Sequence, residues 1–474
     1  MATISSPGIG SGLDIKSIVA QLVALEKAPL TQLDIKSATI QTKISAFGQI
    51  KSLVAPLSDA ASTLNSLVTW NAVSTSSTNS KAVSATAIGG TAPTSFSVEV
   101  QSLAKPQDSA SAGLLPVGGT VGSGTLTLTL GTWTPPVGLV PASFAAGTAT
   151  PVSITVSASD KLVDVASAIN GANAGVTATV LNDASGERLL LRSKTTGAES
   201  GFQLSVADDD TNNADALGLS RLTVGSSITQ YAQNAAATVN GIPVSSSTNT
   251  FSNVVSGVSL TVGEVTTSAA TVTVAKNTSA ITSAIDGFVK AYNAINEALT
   301  ELTKYDSTKK AAGVLQGDST AVGLQNALRG VLQSTTAGSA FSRLADIGVT
   351  QQLGGNLAVD SSKLGAALDT KLDDVKNLFK IDNSNPLTNG VALKLKAFTA
   401  GLLATDGFFR SKDSSLKRSL DATAKDKTHL NEKVARIEAQ LNRRYSALDT
   451  QVASLTALNA YVSQQVTTWN KNTG

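Results

Sequence analysis

No proline follows Pro386 in this chain, and no glycine lies between Gly407 and Gly474. A stretch of that length without a helix breaker favours one conformation, the α-helix. Its apolar residues agree. Steps of four and three connect Leu430, Val434, Ile437 and Leu441, and resume through Tyr445, Leu448, Val452, Leu455, Asn459, Val462, Val466 and Trp469. Two successive four-residue steps, Ile437 to Leu441 to Tyr445, form a stutter that locally unwinds a coiled coil. Asn459 at a core-type position costs stability while fixing register or partner number. A second such run lies at the other end, where Leu33, Ile40, Ile44, Phe47, Ile50, Val54, Leu57, Leu64 and Val68 fall near heptad spacing. Pro56 is expected to kink that run or start a new helix, because proline removes a ladder donor. Helices this long bury their apolar faces only against each other or against another chain.

Between the two ends the period changes to two. From about residue 81 to 277, Phe96, Val98 and Val100 alternate with polar residues, as do Leu126, Leu128 and Leu130. "PVSITVS" (151–157), "VTATVL" (176–181), "ERLLLRS" (187–193) and "GFQLSVA" (201–207) continue the pattern between Gly-, Asn- and Asp-rich turns. One short helix interrupts them, with Ser159 as its expected N-cap, Leu162, Val165, Ala166 and Ile169 as its face, and Gly171 as its stop. After residue 278 helices return, with Ile281, Ile285, Phe288, Tyr292, Ile295, Leu299 and Leu302 on one face. "LADIGVTQQLGGNLAVD" (344–360) predicts a small hairpin turning at Gly354-Gly355. The simplest architecture pairs the terminal runs antiparallel and inserts β domains between them.

The glycine-rich opening "SSPGIGSGLDIKSIVAQLVALEK" (5–27) looks like a phosphate-binding loop but lacks its requirements. A phosphate cradle follows a strand, and the P-loop form ends in Gly-Lys-Ser/Thr. Here Gly12 precedes Leu13 and Asp14, and a carboxylate at a helix start repels phosphate. Ser11-x-x-Asp14 reads instead as a capping pattern ahead of Ile15, Ile18, Val19, Leu22 and Val23, one apolar face.

Composition narrows the function classes. Aromatic residues make up only 4% of the chain, below the density of ligand pockets. A net charge of +2 gives no long-range attraction to nucleic acid or anionic membrane. No stretch approaches a membrane span, and no basic n-region with a long apolar h-region predicts a cleaved signal peptide. Cysteine is absent, which excludes disulfides, thiolate catalysis and cysteine metal sites. The single histidine, His429, lies in a charge-studded helical segment and reads as a solvated residue. Lys433, Arg436, Arg443 and Arg444 alternate with Glu432 and Glu438, a solvated helix face. "ADDDTNNAD" (207–215) fails the calcium-loop pattern at two positions, Asn213 and Leu219, and reads as a solvated acidic turn. "KNTS" (276–279) suits a helix N-cap. "GTWTPPVG" (131–138) sets Trp133 beside a rigid Pro-Pro turn, which makes Trp133 the candidate contact of the β region. No catalytic constellation emerges, and no enzyme activity, cofactor or metal is expected.

Several stretches together resemble one family. "GIGSGLDIKSIVAQLVALEKAPLTQL" is similar to the N-terminus of the flagellar hook-associated protein 2 family, the filament cap. "VNGIPVSSSTNTFSNVVSGVSLTV" (239–262) resembles the repeat that this family shares with flagellins. "GVLQGDSTAVGLQNALRGVL" (313–332), "LADIGV" (344–349) and "DGFFRSKDSSLKRSLD" (406–421) resemble its helical middle. "LNRRYSALDTQVASLTALNAYVSQQV" (441–466) is similar to its C-terminal signature. The segment from about 111 to 225 departs most from the family pattern.

The resemblance implies a multidomain α+β fold, with a discontinuous helical stalk or coiled coil from both termini and inserted antiparallel β head domains. The expected division is 1–45 and 435–474 as terminal coiled-coil segments, 46–80 and 278–434 as a helical leg, 81–110 and 226–277 as a β head, and 111–225 as an inserted outer head. It implies a secreted protein of the bacterial flagellum, exported without a cleaved signal peptide, that forms a homo-oligomeric plate at the filament tip and promotes flagellin folding and insertion. Implied partners are further copies of itself, flagellin, other hook-associated proteins and a flagellar export chaperone. Residues 8 to 12 then form a mobile lead-in. The oligomer or filament interface would take in Ile15, Ile18, Leu22 and Val23 with Leu448, Val452, Leu455, Val462, Val466 and Trp469. Other readings of the same plan are a flagellar junction protein or flagellin, or a surface adhesin whose β head binds host glycans or mucin. A carboxylate enzyme acting on a surface polymer has no convergent pair to name.

Overall fold

The structure, a computed structural model, describes residues 14–308 and 310–471. Its helices are α1 (Ile15–Asn65), α2 (Leu67–Trp70), α3 (Leu162–Gly171), α4 (Thr278–Thr303), α5 (Ser319–Gln333), α6 (Ser361–Lys380), α7 (Val391–Leu403) and α8 (Phe408–Lys471). The chain divides into two compact units, Met1–Trp70 with Ser279–Gly474, and Asn71–Thr278. The first is helical and the second is built of antiparallel sheets, the α+β plan expected from the change of period.

In the helical unit α1 opens at Asp14, whose carboxylate accepts the Ser17 N–H at 3.0 Å. The cap is thus Asp14 itself; Ser11 and the lead-in 8–12 lie outside the described residues. Contrary to expectation, α1 runs unbroken through Pro56, and through Pro29. Both prolines are exposed, so the carbonyl that each leaves without a ladder donor can tilt toward water. The helix stops at Asn65, where Ser66 turns to extended backbone. Val68 therefore falls outside the heptad run and is exposed. Trp70 takes the buried position, donating its indole N–H to Leu64 O at 2.7 Å. Ile50, Val54, Leu57 and Leu64 of α1 share one core with Ile281, Ile285, Phe288 and Tyr292 of α4 and Phe379 of α6. The face expected on α4 is the one buried, and α4 begins at the residue after Asn277, as the capping reading of "KNTS" requires. Strands Val349–Gln351 and Leu357–Val359 form the expected hairpin, with Gly354 and Gly355 at φ +91° and +96°.

One ion pair ties three helices of this unit. Asp318 caps α5 by accepting from the Thr320 and Ala321 N–H groups. Its carboxylate also receives the Lys412 ammonium of α8 at 3.0 Å, and that ammonium sits 4.9 Å above the Phe47 ring of α1. Burial pushes the Asp318 carboxyl up, but Lys412 and the N–H donors outweigh it and hold the group below its usual range.

In the β unit the strand pattern begins earlier than residue 81, with Val73–Ser77. Strands Val73–Ser77, Ala270–Lys276, Thr94–Ser102, Ala235–Val239 and Ile242–Ser246 lie side by side in that order. A three-stranded sheet of Thr250–Val255, Val258–Val262 and Val83–Ala87 shares their core, around Phe96, Val98, Phe251 and Leu260. A second core, with Leu126, Leu128, Ile169, Leu189 and Phe202, joins α3 to two further sheets built on Gly124–Thr134 and Gly186–Ser193. The buried face of α3 is the expected one, but its N-cap is Lys161, two residues beyond Ser159. Asp164 fixes that start by accepting the Lys161 N–H at 3.0 Å. The acidic turn also differs from expectation at Asp208, which is buried. Its carboxylate accepts the Ser220 N–H at 2.8 Å and its own N–H donates to Asn213 Oδ1 at 2.7 Å.

Removing one partner of the Asp318–Lys412 pair, by Lys412→Gln or Asp318→Asn, should lower the stability of the helical unit by about 3 kcal/mol near neutral pH. Because the folded-state pKa of Asp318 is depressed, its contribution is complete above the unfolded value of about 3.9 and is lost as pH falls through the folded value. Chemical denaturation of wild type and Lys412→Gln at stepped pH should show a constant gap above pH ~5 that closes in acid.

Candidate assembly surface

The two ends of the chain meet along α1 and α8. Ile15, Val19 and Val23 are buried together with Val434, flanked by Leu430, Leu441 and Tyr445. Glu26 lies 3.7 Å from Lys433, Asp34 receives Lys427, and Phe47 packs on Phe408. Rising numbers on α1 face falling numbers on α8, so the pair is antiparallel. The stutter residues Leu441 and Tyr445 sit where the apolar contact with Ile15 runs out.

Of the predicted interface residues, Ile15 and Val23 turn into this pair, Ile18 is half-buried and Leu22 is exposed. Val19 and Val434, absent from that set, complete the cluster. The i, i+4, i+8 spacing from Ile15 to Val23 was the signal that could have selected Val19. On α8 beyond Tyr445 the predicted stripe faces outward. Leu448, Leu455, Val462 and Val466 range from 43% exposed at Leu448 to 63% at Leu455, with Leu458 and Tyr461 exposed beside them. Val452 is half-buried and Trp469 is 74% exposed. His429 is exposed on the same helix, as its charged setting suggested.

Trp133 is half-buried in the β unit. Its indole N–H donates to Phe202 O at 2.8 Å, and its ring lies 5.0 Å from Phe144 and 6.3 Å from Tyr231. Gln107, which sequence reasoning passed over, is 1% exposed and pairs with both backbone groups of Phe202 at 2.8 Å. Trp133, Tyr231 and Phe202 border a cleft of about 350 Å³ with serine and threonine hydroxyls around it. The described residues contain no group of three or more His, Asp or Glu side chains able to hold a metal ion, and no helix long and apolar enough to cross a membrane.

Three family models match this chain. Residues 11–107 match the flagellar hook-associated protein 2 N-terminus, 232–457 its C-terminus, and 143–195 the flagellin hook IN motif. The flagellin-type motif thus falls inside the segment that departs most from the family pattern, and away from 239–262, where the resemblance had placed a flagellin-like repeat. Among relatives, the flagellar hook-associated protein 2 of Escherichia coli K12 is 30% identical over 98% of each chain. That of Salmonella typhimurium is 27% identical over the full length of both. The crystal structure of the flagellar cap protein FliD D1-D2-D3 domains from Escherichia coli aligns with a TM-score of 0.59 at 29% identity, covering 78% of this chain and 99% of that one.

Truncating Val434 to Ala should cost about 2 kcal/mol locally. Hydrogen exchange should show faster amides over 15–27 and 430–445 and unchanged amides in the β unit. Trp133→Phe should destabilise the β unit by about 1 kcal/mol, since the ring contacts persist and Gln107 still serves Phe202 O. Trp133→Ala, which also removes the packing, should cost about 3 kcal/mol in the same melt.

Proposed function

The chain belongs to the flagellar hook-associated protein 2 family, the caps of the flagellar filament tip, and we propose that it works there as an oligomeric plate beneath which flagellin subunits fold and insert. The observation that carries this reading is the outward-facing stripe of α8. A helix keeps Leu448, Leu455, Val462 and Val466 on one side at heptad spacing only at a cost in exposed apolar surface. That surface is relieved when the stripe meets another helix, which suits it to docking into the helical filament or onto neighbouring subunits. Ile18 and Leu22 extend the docking face on α1, and the terminal segments 1–45 and 435–474 serve as docking elements of the helical leg.

The mechanism involves no covalent chemistry. Helices without packed neighbours are marginally stable, so the distal part of α8 can order on each docking position as subunits are added. Segments 81–110 with 226–277, and the inserted 111–225, form the two lobes of a head that stays folded during this exchange. Other hook-associated proteins and an export chaperone for the terminal helix complete the set of partners. Trp133 at its cleft is the proposed contact of the outer lobe.

The test is complementation of a host lacking the gene. Such cells should bear hooks without filaments and shed soluble flagellin, and the wild-type chain, located at the tip, should restore filaments. A Leu455→Asp/Val462→Asp variant should fold with unchanged stability, because both residues are exposed, yet leave flagellin soluble. Normal filaments with this variant would remove the stripe as a docking element. Normal filaments without the gene, with poor surface attachment, would promote the adhesin reading.

A further inference from the structure

We propose that the Asn240–Gly241 turn of the β unit is a site of spontaneous covalent modification, at which Asn240 is converted through a cyclic imide to a mixture of isoaspartate and aspartate. The inference stands apart from the reading of the chain as a filament cap.

Asparagine followed by glycine is the pair best suited to this chemistry. The glycine leaves the next backbone nitrogen unshielded, and the asparagine amide carbon lies one ring closure away from it. The sequence holds three such pairs, Asn170-Gly171, Asn240-Gly241 and Asn389-Gly390. The structure separates them. Gly171 is the last residue of α3, where its N–H belongs to the helical ladder. The Asn170 amide is also held at both atoms, Nδ2 donating to Ala178 O and Oδ1 accepting the Ala178 N–H, each at 2.8 Å. Gly390 is buried, and its N–H donates to Ile381 O at 2.8 Å. A Cβ there would lie 2.3 Å from Phe379 O, so that backbone has no room to turn.

Asn240–Gly241 differs on each count. These two residues alone link strands Ala235–Val239 and Ile242–Ser246, with Val239 paired to Ile242. Their φ angles of +48° and +80° are those of a type I′ turn. Both residues are exposed, and nothing beyond the chain neighbours lies within 4 Å of a Cβ built on Gly241. The peptide between them can therefore rotate toward the side chain without displacing a neighbour. The amide carbonyl is also activated. Asn240 Oδ1 accepts the Ser97 N–H at 2.9 Å and the Ser97 hydroxyl at 3.3 Å, both from strand Thr94–Ser102. These donors lie where negative charge develops when a nucleophile adds to Cγ.

Solvent hydroxide takes the Gly241 N–H proton, and the nitrogen forms a bond to Asn240 Cγ. The Cγ–Nδ2 bond then breaks, and ammonia leaves with a proton returned from water, closing a five-membered imide. Water reopens the ring. Addition at Cγ breaks its bond to the Gly241 nitrogen and gives aspartate; addition at the main-chain carbonyl carbon gives isoaspartate. In either case the Gly241 nitrogen regains its proton, one water is consumed, one ammonia is released and nothing is oxidised. Isoaspartate carries the backbone through Cγ, so the oxygen that Ser97 held becomes a main-chain carbonyl and the turn gains an atom. A two-residue turn of fixed register cannot absorb that atom. The Asn240 N–H bond to Ser97 O, 2.9 Å in the unmodified turn, is then lost.

The test is to incubate the purified full-length protein in its folded state and follow the three asparagines by peptide mass spectrometry, with enzymatic methylation to detect isoaspartate. Amide-to-acid conversion at Asn240 should exceed that at Asn170 and Asn389 by about tenfold or more. Isoaspartate should form part of the product. In denaturant the three sites should react at similar rates. Aged protein should exchange its Ser97 and Ile242 amides faster, with the helical unit unchanged. Asn240→Gly, which a type I′ turn accepts and which has no side-chain carbonyl to attack, should show no such change on ageing. Native Asn240 retained as well as the other two would overturn the site. Aspartate as the sole product would overturn the imide step. A lead for Asn240 that persists undiminished in denaturant would place the selectivity in the local sequence and overturn the structural assignment.

Discussion

Everything in the helical unit depends on α1 lying antiparallel on α8. The Asp34–Lys427 pair alone closes 393 residues of chain. Closing so long a loop is cheaper than its length suggests, because the entropic cost grows only with the logarithm of the loop. Few of the contacts that close it are polar enough to count on the surface; the ion pairs of Glu26 and Asp34 are exposed and weak. The closure is apolar, carried by Ile15, Val19, Val23 and Val434 near the tip of the pair and by the Phe47–Phe408 contact at its base. The β unit, Asn71–Thr278, is inserted between the two stretches of chain that build the helical unit.

Buried polar groups then decide where the remaining elements go. Hydrophobic burial is non-directional and would accept several packings of short amphipathic helices. Asp318 removes that freedom for α5 by receiving its first N–H groups and Lys412 of α8 together. Asn296 and Arg329 do the same for the small hairpin, and Gln107 for the strand that carries Phe202. Asn296 and Gln107 are buried and the Asp318 carboxylate nearly so, and a wrong packing would leave each unpartnered in a low-dielectric setting. Beyond this packed body, the distal part of α8 keeps a stripe of exposed apolar residues, Leu448, Leu455, Val462 and Val466.

The long terminal helices, the alternating strands, the face of α4 and the Gly354-Gly355 turn were all legible in the sequence, because each is a local periodicity or a local backbone requirement. Local reasoning failed where solvent exposure decides. Pro56 is accommodated on the exposed side of α1, where the carbonyl it leaves unpaired can turn to water, and that exposure is a tertiary property. Val68 follows the heptad spacing yet falls beyond the end of α1, in the short α2, where Trp70 fills the core in its place. Asp208 belongs to an acidic run yet is buried, since its carboxylate caps the turn at Ser220.

What the sequence by itself determined is which surfaces are apolar and on what period, since side-chain chemistry and backbone propensity are local. Which of those surfaces are covered was decided only by the tertiary structure. Ile15 and Leu455 sit on equally regular stripes, and the antiparallel register of α1 on α8 buries the first and leaves the second exposed. Leu353 is one leucine in a polar turn by sequence. The turn beside it is fixed because Tyr292, Asn296 and Arg329, from α4 and α5, converge on the carbonyls of Gly354 and Gly355. Convergence of that kind depends on long-range packing, and no pattern along the chain encodes it directly.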